Sequence, residues 1–419
     1  MNGVHTAAAR PLTQRFRHFL AAVGPGLVVM LADTETGSVI ASAQSGARWG
    51  LRMLPLLLLL IPLLYLAQEL TIRLALGTGK GYGELVLRRF GRAASWLSTA
   101  TLLISCFGAL LTQLSGLAGI GEMLGVPPWQ SVSLLALLIF LMVATGSYRS
   151  VERVAIALGV FELAFLAEAW LARPEPAVLL AQLHHLPWRD HDFLYLAAAN
   201  IGTCIMPWTI FYQQSALLDK GLGQADLKAA RLDTLLGAAL CQLITAAILI
   251  AAAQAFGGGH GGQSLDSVVQ LADGFGRLLG PIYGRLLFAL ALAGGALVAT
   301  IVVCLSAAWA LGEASGRRHS LAEHPRQAPW FYGCFGLMLL AGALLVSSGV
   351  NLIRLSLASG VVNAVLLPVT LGFLYWLARS ELRGALRPRG AYAGVLALAL
   401  ALTAGFSLYA GLAGALGAG

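Results

Sequence analysis

Asp33-Thr34-Glu35-Thr36-Gly37-Ser38 places two carboxylates inside residues 24–45, a stretch otherwise apolar enough to cross a membrane. Acids in a span are costly to bury and face a cavity or an ion path. Carboxylate oxygens are hard donors. Mg2+ and Ca2+ prefer all-oxygen shells, and Mg2+ keeps several waters. A glycine between hydroxyl residues lets the helix open at Gly37, freeing carbonyls and N–H groups that then need partners. A second break, Gly202-Thr203-Cys204-Ile205-Met206-Pro207-Trp208, interrupts another apolar span with a central proline. Proline removes a backbone donor and clashes with the preceding turn. Met206 brings a thioether, a soft ligand that favours Mn2+, Fe2+ or other transition metals over Mg2+. The candidate donors are therefore Asp33, Glu35, Gly37, Ser38, Thr203 and Met206, with Thr36 and Trp208 lining the same space. The acids would alternatively cap the second half-helix, whose N-terminus favours negative charge, but a cap needs one acid and not two.

Such breaks need helices to hold them. Of 419 residues, 58% are hydrophobic and 11% charged, with mean hydropathy +0.78; a soluble domain carries roughly 25% charge, so the chain reads as an all-α, multi-pass membrane protein. The 49 glycines suit close helix packing in lipid. Eleven spans are expected at 24–45, 51–76, 94–121, 129–147, 151–171, 193–218, 232–256, 284–312, 330–348, 352–378 and 391–416. Helices 1 and 6, the interrupted ones, each open a set of five, residues 24–171 and 193–378. Because five is odd, the two sets run with opposite topology, and 391–416 is an extra helix outside the repeat. This is the LeuT-type fold, a single transmembrane domain over 24–416 with its site at mid-membrane between inverted repeats.

Charge sets the orientation. Of 27 Lys and Arg, only Arg48, Arg52, Arg173, Arg189, Arg277, Arg285 and Arg354 fall on one side. The other side is then cytoplasmic and includes residues 1–23, and the C-terminus lies outside. The net charge of +8 therefore reflects topology and not a nucleic-acid partner. The cell (inner) membrane is the expected location and the bilayer the expected surroundings, with no obligate protein partner. Gly24-Pro25-Gly26 and the acids make the first span a poor signal-peptide core.

Other polar residues have two readings each. Ser356, Ser359 and Asn363 share one helix face by their spacing; they either complete the cavity or bond helix to helix. Thr112, with Gln113 and Ser115, stands the same way in the third span. The five cysteines show no CxxC spacing and read as packing residues. Glu69 and Arg73 read as a helix-end pair, while Glu162 and Glu168 have no explanation. His184, His185 and His191 read as a solvated loop, and residues 257–262 as a glycine linker. Gly77-Thr78-Gly79-Lys80-Gly81 lacks the spacing of a phosphate loop, and no HExxH or GxSxG occurs. Neither an enzyme nor a cofactor is expected.

Taken together, Gly24-Pro25-Gly26, Gln44-Ser45-Gly46-Ala47 through Gly50, Thr78-Gly79-Lys80, Gly125-Val126-Pro127-Pro128-Trp129 and Gly202 to Met206-Pro207 resemble the NRAMP family of divalent metal transporters over most of the chain. The resemblance implies a metal-binding pair of breaks and makes Met206 either a ligand or a cavity residue. The departures are informative. The family carries Asp-Pro-Gly-Asn in its first break, where an ungapped reading finds Glu35-Thr36-Gly37-Ser38; a one-gap reading makes Asp33 the family aspartate. The histidine after Met-Pro is Trp208 here. The third-span acid pair linked to proton movement reads Ala109 and Thr112. The pattern is similar to the NRAMP-related magnesium transporters, which implies Mg2+ uptake by alternating access with weak or absent proton coupling, Mn2+ or Fe2+ being the nearest variant. The competing expectation is an amino acid or small organic acid transporter, its carboxylate held by backbone N–H groups at Thr36-Gly37-Ser38. A channel or non-transporting sensor is the third.

Overall fold

Backbone polar groups in lipid must be satisfied within the chain, and every regular element among the described residues is helical. The computed structural model describes residues 24–145, 147–172, 186–257, 265, 267–318, 320–321, 323–348 and 352–417. The first broken span is α1 (Pro25–Asp33) with α2 (Thr36–Trp49). Then come α3 (Leu54–Thr78), α4 (Tyr82–Met123) and α5 (Pro128–Thr145). Next, α6 (Tyr148–Gly159) and α7 (Ala164–Ala172) are joined by a 3-10 turn, Val160–Leu163. The second half opens on its own broken pair, α8 (His191–Cys204) and α9 (Pro207–Asp219). It continues through α10 (Leu227–Ala255), α11 (Val268–Leu279), α12 (Tyr283–Ser315), α13 (Pro329–Val346) and α14 (Leu352–Glu381), with α15 (Gly390–Gly417) beyond.

Ten runs among the described residues are long and apolar enough to cross a membrane, because Thr36–Thr78 counts as one run of 43 residues. At helical rise that run would span about 65 Å, twice the ~30 Å hydrocarbon core. It turns at Gly50–Met53, where Gly50 takes φ 62°, and dividing it there restores the expected eleven crossings. Similarly, Gly91 (φ 82°) divides the 42-residue α4 into a short leading segment and the span proper. The helix α11 has no counterpart among the sequence expectations. Ser267 caps it by accepting from Gln270 N–H at 3.1 Å, and its Phe275 stacks on Phe288 at 5.1 Å. His184, His185 and residues 258–262 lie outside the described residues. His191 begins α8, its Nδ1 3.0 Å from the Ala413 carbonyl.

The second broken span is the most enclosed element: its apolar window is 94% buried, against 22% for the peripheral α5. Around it, α4 lies along α12, α10 covers α1, α2 and α3, and α14 packs on both α4 and α8. Gly202 makes the closest of these contacts, since a Cβ there would fall 1.8 Å from the Gly360 carbonyl oxygen of α14.

Buried carboxylates stitch the Lys- and Arg-rich end. Glu69 accepts from Arg73 Nε at 2.6 and 2.8 Å and from Tyr392 Oη at 2.8 Å, and pairs with Arg231 at 2.5 Å. Glu313 accepts from Gly83 N–H at 2.8 Å, at the start of α4, and from Ser215 Oγ at 2.9 Å. Asp233 Oδ2 accepts from Gly24 and Gly26 N–H at 3.0 and 2.8 Å, holding the N-terminus of α1. Lys220 pairs with Glu152 at 2.8 Å. Ion pairs at the other end include Arg48–Asp192 and Arg285–Asp273, both partly exposed.

Candidate cation site at the paired helix breaks

Thr34 and Glu35 carry non-helical or extended backbone between α1 and α2, with Glu35 at φ −86°, ψ 173°. In the second break Ile205 and Met206 do the same, Met206 at φ −99°, ψ 145° before Pro207. Proline at the first position of α9 fixes where that half-helix starts. The two breaks meet. Ser38 Oγ lies 2.6 Å from the Asp33 carbonyl and 3.0 Å from the Thr203 carbonyl, so its one hydroxyl proton serves an acceptor from either break. Gly37 makes room: a Cβ there would lie 2.3 Å from Glu35 Oε1 and 3.2 Å from Thr203 Cγ2. Glu35 thus folds its carboxylate over the N-terminus of α2, where negative charge is favoured.

Asp33 and Glu35 are 1% and 2% exposed, and Asp33 Oδ1 and Glu35 Oε2 are buried without a hydrogen-bond partner. Buried carboxylate oxygens in this condition take up either a proton or a cation. Asp33 Oδ2 accepts from the Cys241 thiol at 3.4 Å, and Gln242 Nε2 donates to Cys204 Sγ at 3.0 Å. Two thiols and an amide from α8 and α10 therefore face the first break. Met206 is fully buried within the second break. Among the described residues no group of three or more His, Cys, Asp or Glu forms a cage of its own. A metal ion here would need carbonyl and hydroxyl oxygens besides the side-chain charges.

The structure brings Asp33, Glu35, Gly37, Ser38 and Thr203 together and sets Met206 and Trp208 at the second break. Trp208 Nε1 is buried without a partner. Thr36 N–H donates to Gln113 Oε1 at 3.0 Å, so the third span touches the break through Gln113. The neighbouring Thr112 spends its hydroxyl on Gly108 of its own helix at 3.0 Å. Ser359 turns to the same Gly108, whose Cβ would lie 2.6 Å from its Oγ, which places it at the α4–α14 contact and not at the break. Asn363 Oδ1 is buried and unpartnered, and Ser356 is buried. Of the five cysteines, none of which forms a disulfide, Cys241 lies against Asp33 and Cys204 against Gln242; Gln242 was not among the expected site residues, and Glu162 had no reading in the sequence. A polar residue on the wall-forming seventh span was the available signal for Gln242; nothing local marks a cysteine as a cavity residue.

Two helix breaks facing each other inside an all-helical bundle define a fold of the LeuT type. The chain belongs to the NRAMP family: the family model described as natural resistance-associated macrophage protein-like matches residues 26–413. Among curated relatives, a divalent metal cation transporter MntH of Chromohalobacter salexigens is 30% identical over 330 residues, covering 73% of each chain. One from Acidiphilium cryptum is 26% identical over 413 residues, 93% of this chain and 90% of the relative. The fold matches the manganese transporter of Eremococcus coleocola with TM-score 0.74 at 16% identity, covering 100% of this chain and 90% of that one. It also matches the nucleobase-cation-symport-1 family transporter Mhp1 with TM-score 0.61 at 14% identity, covering 93% and 90%.

Proposed function

We propose that the protein moves a divalent metal cation across the cell membrane by alternating access, holding it between the two helix breaks. One observation carries this reading: Asp33 Oδ1 and Glu35 Oε2 are buried and unpartnered at the point where Ser38 joins the two breaks. Asp33, Glu35, Ser38, the Thr203 carbonyl and Met206 supply the donors. Mn2+ is the favoured cargo, because the Cys204 and Cys241 thiols and the Met206 thioether border an otherwise oxygen-rich site, and soft donors discriminate against Mg2+. Mg2+ remains the second reading, supported by the hard carboxylates and by Trp208 in place of a histidine. Ala109 and Thr112 carry no titratable group, so the third span offers no proton route, and transport proceeds without proton coupling along that helix. The N-terminal side is cytoplasmic by the Lys and Arg bias.

The amino acid alternative fares worse. A substrate carboxylate would need free N–H groups at the start of α2, but Thr36 N–H is bonded to Gln113 and the protein's own Glu35 carboxylate lies over Gly37. The test is uptake into proteoliposomes, with Mn2+, Mg2+ and Ca2+ in parallel and labelled amino acids as a control. Mn2+ entry lost in Asp33→Asn/Glu35→Gln is the expected result. Amino acid entry, or divalent entry that survives the double change, overturns the reading.

A further inference from the structure

Glu162 is a third carboxylate at the first break. It comes from the 3-10 turn between α6 and α7, is 0% exposed, and leaves both oxygens without a partner. Thr34 Oγ1 is likewise buried, its side chain faces both Glu162 and Cys241, and Asp33 is close enough to act on the charge of Glu162. Gly295 on α12 makes this meeting possible. A Cβ there would stand 2.4 Å from the Thr34 carbonyl oxygen and 3.5 Å from Glu162 Oε1, so both oxygens crowd one point. The adjacent Gly294 lets the backbone of Leu158 approach, its carbonyl 2.5 Å from the missing Cβ. The glycine pair therefore draws α6 and its turn onto the break.

Resting on the reading above, we infer that Glu162, Thr34 and Asp33 Oδ1 form an oxygen-donor cation station beside the thiol-bordered side of the same break. Asp33 has one oxygen for each: Oδ2 meets Cys241, and Oδ1 is unpartnered. The charge of two carboxylates matches one divalent ion, and oxygen-only donors select hard ions such as Ca2+ and Mg2+. Soft ions such as Cd2+ instead follow the sulfur side. The station sets which ions compete with the cargo.

The experiment is competition of Ca2+, Mg2+ and Cd2+ with Mn2+ uptake in proteoliposomes. Glu162→Gln keeps the side chain's shape and should raise the half-inhibiting Ca2+ and Mg2+ concentrations by about tenfold or more, while leaving Cd2+ inhibition as in the parent. Thr34→Val, which keeps the branched shape and removes the hydroxyl, should repeat that split. Glu168→Gln, a buried carboxylate on α7, should leave all three unchanged. Equal shifts for hard and soft ions, no shift in either variant, or a parent that Ca2+ and Mg2+ do not inhibit would each overturn the station. A parent that takes up no divalent ion is a different failure and overturns the transport reading itself.

Discussion

Gly202→Ala is the sharpest perturbation the structure offers. The added Cβ would sit 1.8 Å from the Gly360 carbonyl oxygen and 2.7 Å from the Ala364 nitrogen, both backbone atoms of α14. Ordinary contact begins at 3.4 Å, against 1.8 Å here, so α8 and α14 must separate by about 1.6 Å, since backbone cannot swing aside as a side chain does. Overpacking of this kind costs about 1–3 kcal/mol, occasionally more, and the shift is delivered one residue before Thr203. Both thermal stability in detergent and Mn2+ uptake should fall. Gly360→Ala meets the Ala199 carbonyl at 3.0 Å and Thr203 Cγ2 at 3.0 Å, so a few tenths of an ångström suffice and the loss should be smaller. Gly372→Ala meets nothing within 4 Å, and should be neutral or slightly stabilising, because alanine is the better helix former. The assay is melting by size-exclusion chromatography alongside initial uptake rates for the three variants. An unchanged Gly202→Ala, or a Gly372→Ala as damaged as it, would refute the argument that backbone contact fixes the break.

Ser38→Ala leaves the Asp33 and Thr203 carbonyls without their shared donor, a loss of about 1–3 kcal/mol by the cost of an unsatisfied buried acceptor; uptake should fall while Ser38→Thr retains more, and equal rates in both would count against the bridge. Met206→Ala should lower Mn2+ uptake while narrowing the Mn2+ to Mg2+ preference, measured by competition; a preference left intact makes Met206 a wall residue. Asp233→Ala removes the acceptor of two N–H groups at the head of α1, worth about 1.5–3 kcal/mol for each bond to a charged group. Labelling of Cys241 by a membrane-impermeant thiol reagent from the Lys- and Arg-rich side should speed up, and unchanged labelling would show that α1 is held by other contacts.

The breaks were legible because each writes itself into the chain locally, as acids, glycine and proline inside apolar runs. So were the span order and the helix-end pairing of Glu69 with Arg73. What surrounds the breaks was not. Cys241, Gln242 and Glu162 reach the site from α10 and the α6–α7 turn, and no spacing rule joins residue 33 to residues 162 and 241. Gln113 rather than Thr112 meets the break, because one helical step decides which side chain faces inward and which bonds back to its own helix. The amphipathic α11 was hidden by the glycine tract before it, and Ser359, on one face with Ser356 and Asn363, meets Gly108 of α4.

The uneven stitching of the two ends has a kinetic meaning. Exposed pairs such as Arg48–Asp192 contribute roughly 0–1 kcal/mol, whereas Glu69, Glu313 and Asp233 are buried and each collect several donors. The protein would then dwell mostly in the form shut at the Lys- and Arg-rich end. The competent fraction divides apparent affinity, so the same site would look tight to an ion arriving from one compartment and weak to one arriving from the other. Resting occupancy would thus set which compartment loads the site at low ion concentration, while the gradient alone sets the direction of net flow.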